Sequence, residues 1–291
     1  MAPGGRFELP RPDGPYALKA VKAKKSLKQF KQFCVVDLNL TEDTAERHHG
    51  NQMRRFFSWL KDRDITTEVL REYLFTFNGN APSTRANVIK AFRRFFRDFM
   101  KRGDLVESFQ LPRQEFRPKS VPTRDELKKF YRALKRNRER AAFLMIATSG
   151  LRRDELTALT VGDINRSTRA ISPNTANTAT KKRWLTFYND EAEAILAKHL
   201  NSYNGGRLFP WRGDVLDKWF RRASERSGVK ITPKTLRDWF CNEMGRLGVQ
   251  DRYVDAFCGR VPQSVLARHY TDYSPERLKE IYERAGLRIF S

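Results

Sequence analysis

The chain has 291 residues, of which 40% are apolar and 12% aromatic; that is enough to bury two cores, and it excludes a disordered basic tail. Its 57 Lys and Arg against 34 Asp and Glu leave a formal net charge of +23, which implies a polyanionic partner, because each neutralised phosphate releases condensed counterions. The basic residues run along the whole chain instead of one amphipathic helix, and no apolar run reaches the roughly 18 residues that span a bilayer, so nucleic acid is expected and a membrane is not.

The opening Met1-Ala2-Pro3-Gly4-Gly5-Arg6 lacks the apolar core of a signal peptide. Residues 1–20 are rich in Pro and Gly without periodicity and predict a loose arm. Residues 21–112 carry four helical stripes. Leu27, Phe30 and Phe33 form the first, and Met53, Phe56, Phe57 and Leu60 the second. Thr67 caps a third with Val69, Leu70, Tyr73 and Leu74. A fourth opens near Ser83-Thr84 and carries Val88, Ile89, Phe92, Phe95, Phe96 and Phe99. Lys and Arg on the opposite faces make this an all-α module able to lie along a duplex.

Residues 113–122 form an extended, proline-containing linker. Residues 123–291 make a second domain. Thr123-Arg124-Asp125-Glu126 has the form of a capped helix start, and Glu139 to Ser149 is an apolar helix stopped by Gly150. Ala170-Ile171-Ser172 and Arg183 to Phe187, joined by a polar turn, predict a small sheet. Thr232-Pro233 opens another helix. Ser274-Pro275 begins a final amphipathic one with Leu278, Ile281 and Tyr282. The expected fold is therefore mostly α with a small β-sheet.

Cys34, Cys241 and Cys258 sit among apolar neighbours and predict buried free thiols, suited to the reducing cytoplasm. With four histidines they make no metal-ligand pattern. No carboxylate cluster suggests Mg²⁺ beside a phosphate, so neither a metal nor a cofactor is expected. Cleaving a phosphodiester without one needs a nucleophile, fixed cations on the non-bridging oxygens and a proton for the leaving oxygen. The chain offers such a set: Arg152 within Gly150-Leu151-Arg152, with Glu155 three residues on to brace it; Lys234 and Arg237 at helical spacing; Arg260 after Gly259; and Tyr270 within Arg268-His269-Tyr270-Thr271-Asp272-Tyr273.

These motifs resemble the tyrosine recombinase (phage-type integrase) family, most closely the integrases of archaeal viruses and plasmids. The motif resemblance covers residues 123 to 285; over 21–112 it is architectural. It implies an N-terminal helical core-binding domain and a C-terminal catalytic domain acting on double-stranded DNA. Tyr270 would be the nucleophile, leaving a 3′-phosphotyrosyl bond that stores the energy for rejoining. Arg152 and Arg237 would be the two family arginines. Lys234 stands where most members have His; a lysine is a poor base for a phenol unless its pKa falls, so it is assigned to phosphate stabilisation. Arg260 also stands where His is frequent, ten residues before Tyr270, one more than is usual for that His. The family's general acid is a lysine on the turn between the second and third strands; here Lys181 is preferred and Lys182 is nearly as good, the alternative being a basic tip that touches backbone phosphates.

By the same resemblance the chain recombines DNA site-specifically, as four protomers on two duplexes through a Holliday junction. The final helix would then dock on a neighbouring protomer, unless it is an ordinary core-packing helix. Phe7-Glu8-Leu9 fits the antisense reading of a tRNA T-arm, so the expected target is a tRNA gene, with the attachment site inside the chain's own gene. Two other readings stand beside this one. A type IB topoisomerase would relax supercoiled DNA without a site requirement. A DNA-binding protein that has lost catalysis would form no covalent adduct through Tyr270.

Overall fold

The computed structural model describes residues 18, 20–113, 120–173, 185–201, 205–262 and 264–290. The chain divides into two compact units, Met1–Pro118 and Lys119–Ser291. Both are mainly helical, and the described strands form one small sheet in the second.

In the first unit the helices Leu27–Val36, Asn51–Leu60, Thr67–Phe75 and Pro82–Phe92 carry the four apolar stripes. Their inward residues are large and mostly aromatic. Phe30, Phe56, Phe92, Phe95 and Phe96 are fully buried. The Phe56 ring alone meets Phe57, Trp59, Tyr73, Phe92 and Phe96, with centroids 4.9 to 6.3 Å away, the range of edge-on and tilted aromatic contacts. Past Phe92 the backbone widens into a π-turn over Arg93–Phe99, so the Met100 N–H bonds to the Phe95 carbonyl five residues back at 2.9 Å.

Three expectations need correction here. A further helix, Ala20–Lys25, precedes the first stripe, so four helices is too few. The cap of Thr67–Phe75 is Thr66, whose hydroxyl accepts from the Val69 N–H at 3.3 Å; Thr67 is already helical. The arm is not loose to residue 20, because Leu18 and Ile65 exchange backbone hydrogen bonds of 3.3 and 3.0 Å. Residues 6–9, which suggested the tRNA match, and most of the linker lie outside the described residues.

The second unit is built on the Asn137–Ser149 helix, buried at every position from Ala141 to Ser149. A helix surrounded on all sides reads as continuously apolar, as this one does. Helices Asp190–Leu200 and Pro233–Arg246 pack against it. The predicted caps form. Thr123 accepts from the Glu126 N–H at 3.2 Å while the Glu126 carboxylate accepts from the Thr123 N–H at 2.7 Å. Thr232 accepts from the Thr235 N–H at 3.1 Å. The sheet has three antiparallel strands in the order β1 (Ile164–Asn165), β2 (Ala170–Ile171) and β3 (Thr186–Phe187), with Ile171 opposite both Ile164 and Thr186. The sequence pattern had suggested only the last two. Thr186 in β3 donates its hydroxyl to the Ser149 carbonyl at 2.7 Å, tying the sheet to the end of the central helix.

The final helix, Pro275–Ala285, packs its apolar face within this chain. Leu278, Ile281, Tyr282 and Ala285 are buried in the core of this chain. The Tyr282 hydroxyl donates to the Thr148 carbonyl at 2.7 Å. An amphipathic pattern shows that a helix covers something, and here it covers the helix that carries Gly150.

Candidate active site

The site begins at Gly150, where the central helix ends. Its φ of 65° is left-handed, which glycine adopts without steric cost. Space also demands glycine: a Cβ here would stand 2.5 Å from the Phe240 ring and 3.1 Å from the Cys258 sulfur. The end of the central helix, the Pro233–Arg246 helix and the end of the Asp251–Phe257 helix thus meet at one residue.

Arg152 follows at once, extended, as the cap of the Arg153–Ala158 helix. The Glu155 carboxylate accepts from the Arg152 backbone N–H at 2.7 Å and from its guanidinium at 2.6 Å. Glu155 therefore braces Arg152 from the first turn of the helix that Arg152 precedes, rather than along a shared helical face. The Glu155 side chain is largely buried and that of Arg152 about a quarter exposed. The guanidinium is held yet open to a ligand.

Arg237, on the first turns of the Pro233–Arg246 helix, reaches across. Its Nη1 donates to the Gly150 carbonyl, and its Nη2 donates to the Cys258 carbonyl at 2.7 Å. Two of five N–H donors thus fix the guanidinium plane, and the rest of the fork suits an anion. Lys234, one turn earlier, is exposed. Arg260 follows Cys258 by two residues. Its backbone N–H and its guanidinium bond to Asp255, the second at 2.6 Å. Burial opposes the Arg260 charge, but Asp255 and two nearby sulfurs outweigh it and raise its pKa further. Arg237 therefore links, through the Gly150 and Cys258 carbonyls, the segments that carry Arg152 and Arg260.

Two thiols separated by 17 residues lie beside Arg237 and Arg260. The Cys241 and Cys258 sulfurs are 3.3 Å apart, and Arg260 Nη2 lies 3.7 Å from Cys241 Sγ. The Cys258 S–H donor, followed by the Arg260 and Arg237 charges, lowers the Cys241 pKa to about 7 against the burial of the group; the Cys258 thiol is pushed well above its usual range by the same bond and by burial. Cys34 and Cys258 are buried as expected, but Cys241 is only half-buried, and neither the thiol pair nor Asp255 was legible in the sequence. The one available signal was that Cys241 lies four residues after Arg237 and Cys258 two before Arg260.

Tyr270 is the C-cap of the short helix Val265–His269, its N–H bonded to the Leu266 carbonyl at 3.1 Å. It is 76% exposed, and Val265 and Leu266 beside it are 70% and 59% exposed. Its hydroxyl makes no hydrogen bond to the three arginines. The structure thus ties together the segments that carry Arg152, Arg237 and Arg260, and leaves the phenol without a hydrogen bond to any of the three. Lys181 and Lys182 lie outside the described residues, in the connection between β2 and β3.

Comparison with known proteins bears on this arrangement. Residues 121–277, more than half of the chain, match the model described as the Phage integrase family. The tyrosine recombinase XerA of Thermococcus kodakarensis is 25% identical over 278 residues, covering 87% of this chain and 93% of that protein. A lambda integrase dimer bound to a COC′ core site aligns over 88% of this chain and 78% of its own, with a TM-score of 0.68 at 17% identity. A lambda integrase tetramer bound to a Holliday junction aligns over 86% and 79%, with a TM-score of 0.67 at 17% identity. At these identities the two lambda integrase structures share the fold.

Proposed function

Since the chain belongs to the phage integrase family and is a tyrosine-type DNA recombinase, we propose that Tyr270 is its nucleophile and that Arg152, Arg237 and Arg260 hold the scissile phosphate. In this reading the Tyr270 oxygen attacks phosphorus and the 5′-oxygen departs, leaving a 3′-phosphotyrosyl bond. Arg152 and Arg237 pair with the non-bridging oxygens, whose charge grows in the transition state. Arg260 and Lys234 add positive charge at the rim. Lys181, or Lys182 beside it, gives the departing 5′-oxygen its proton. A 5′-hydroxyl from another strand then displaces the tyrosine, so that strands are exchanged without an external energy source.

One observation carries the proposal: Arg237 bonds the carbonyl of Gly150, two residues before Arg152, and that of Cys258, two before Arg260. These two bonds tie distant segments to one another and support reading their arginines as one phosphate-binding set. The exposure of Tyr270 and its apolar neighbours fits a segment that closes onto this set when DNA is bound.

The finer reading assigns residues 21–112 to a core-binding domain that uses exposed cations such as Arg55 and Lys90 on backbone phosphates. It makes the working assembly a homo-tetramer, by analogy with the lambda integrase tetramer on a Holliday junction. It takes a tRNA gene as the target, on the Phe7-Glu8-Leu9 match. The test is a nicked suicide duplex carrying a tRNA-gene 3′ part, resolved on a denaturing gel. A covalent adduct that needs Tyr270 and prefers this duplex supports the reading. Equal adducts on unrelated duplexes, with relaxation of any supercoiled plasmid, favour topoisomerase action.

A further inference from the structure

The thiol pair plays no part in strand transfer, yet it sits at the junction of the catalytic segments. Cys241 is partly exposed, and Cys258 is buried against Gly150. Their sulfurs are in contact at 3.3 Å. The groups facing Cys241 are Cys258, Arg237 and Arg260, the last in turn bonded to Asp255. A thiol facing two guanidinium groups, with an S–H donor beside it, is placed to react as the thiolate.

We propose that Cys241 and Cys258 are a peroxide-sensitive dithiol whose oxidation to a disulfide switches off DNA cleavage. The inhibitory half rests on the reading of Arg237 and Arg260 as phosphate-binding groups. The chemistry balances with hydrogen peroxide as oxidant. The Cys241 thiolate attacks one peroxide oxygen; the S–O bond forms, the O–O bond breaks, and the expelled hydroxide takes up the proton that Cys241 lost. The Cys258 sulfur then attacks the sulfenic sulfur of Cys241. The S–S bond forms, the S–O bond breaks, and the departing oxygen takes the Cys258 proton and leaves as water. Two thiols and one peroxide become one disulfide and two waters.

The bond is costly for the site because of what the two cysteines carry. A covalent S–S link is shorter than the present contact, so the two sulfurs must approach. The Cys258 carbonyl holds Arg237, the Cys258 sulfur abuts Gly150, and Arg260 reaches the Cys241 sulfur. Displacing this backbone by about an ångström is enough to lower a positioned reaction by about a hundredfold. Cys34 is an internal control: it is buried in the other unit, and burial raises its pKa to about 11.

The experiment treats the full chain with hydrogen peroxide, alkylates the remaining thiols under denaturing conditions, and maps peptides without reduction. Covalent capture of a suicide duplex is measured in parallel, before and after dithiothreitol. The expected result is a linked pair of peptides containing Cys241 and Cys258, with Cys34 alkylated. Capture should fall at least about tenfold and recover on reduction, whereas Cys241→Ala should not lose capture with peroxide. Free Cys241 and Cys258 after treatment, a disulfide without loss of capture, or equal loss in wild type and Cys241→Ala would each overturn the proposal. Failure of the reduced chain to capture DNA would overturn the reading of the site and the inhibition with it. Peptide mapping decides the dithiol independently.

Discussion

The Arg237 guanidinium is hydrogen-bonded to the backbone carbonyl of Gly150, 87 residues earlier in the chain. This bond joins the helix that supplies one cation to the turn that supplies another. A second bond from the same group, to Cys258, recruits the segment carrying Arg260. Arg237 thus orders the site's backbone in addition to presenting charge, and its loss has two effects. Arg237→Ala is expected to lower covalent capture by about a thousandfold, the upper end of the effect of removing one preorganised donor. Arg237→Lys should recover little, because an ammonium cannot span two carbonyls and a phosphate. Single-turnover capture with excess enzyme reads both.

Gly150→Ala tests the junction itself. Its positive φ and the closeness of the Phe240 ring each oppose a methyl group. The substitution should destabilise the second unit by about 2–4 kcal/mol, combining left-handed strain with overpacking. Urea unfolding followed by fluorescence measures it; an unchanged midpoint would mean that the ring moves aside freely.

Glu155→Gln separates bracing from folding. The amide oxygen can still accept from the Arg152 N–H, so the helix cap survives, but the charged partner of the guanidinium is lost. Capture should drop about tenfold, matching the loss of a charged hydrogen bond of about 1.5 kcal/mol, with duplex affinity nearly unchanged. Equal losses in both would show that Glu155 serves binding generally.

The thiols predict a pH signature. Alkylation of Cys241 should rise through about pH 7 instead of near 9, and Cys258→Ala should move the inflection upward by removing the S–H donor. For stability, the depressed Cys241 pKa contributes above the ordinary thiol value and is lost as pH falls through about 7. The raised Cys258 pKa contributes below the ordinary value and is lost as pH rises through its folded value. Together they make stability rise between pH 7 and 9 and fall above. Unfolding midpoints of wild type and Cys241→Ala/Cys258→Ala over this range should diverge most near pH 9.

In the first unit, Phe56→Ala removes a ring that meets five others. A loss of about 3–5 kcal/mol is expected, seen as a lowered melting transition of that unit.

What could be read in the sequence was local or periodic. Thr123 with Glu126, Thr232 and Gly150 announce helix ends because capping chemistry acts within a turn, and the aromatic stripes announce helices because the period is 3.6 residues. The Thr66 cap was misplaced by one residue because Thr67 offers the same hydroxyl. β1 escaped notice because two residues, Ile164 and Asn165, show no alternation. The motif residues were legible one by one, but the bonds by which Arg237 links their segments were not. A carbonyl acceptor such as that of Gly150 or Cys258 has no side-chain signature. Nor does spacing reveal that Cys241 and Cys258 touch, or that the apolar face of Pro275–Ala285 packs into this chain's own core.

The central claim is that the exposed phenol of Tyr270 becomes covalently joined to DNA under the three arginines. Mass spectrometry of the peptide retained on a nicked suicide duplex tests this most directly. A nucleotide attached to Tyr270, absent in Tyr270→Phe and reduced about a hundredfold or more in Arg152→Ala and Arg237→Ala, is the predicted result. An adduct on Tyr273 or another residue, or one that persists in Tyr270→Phe, would contradict it.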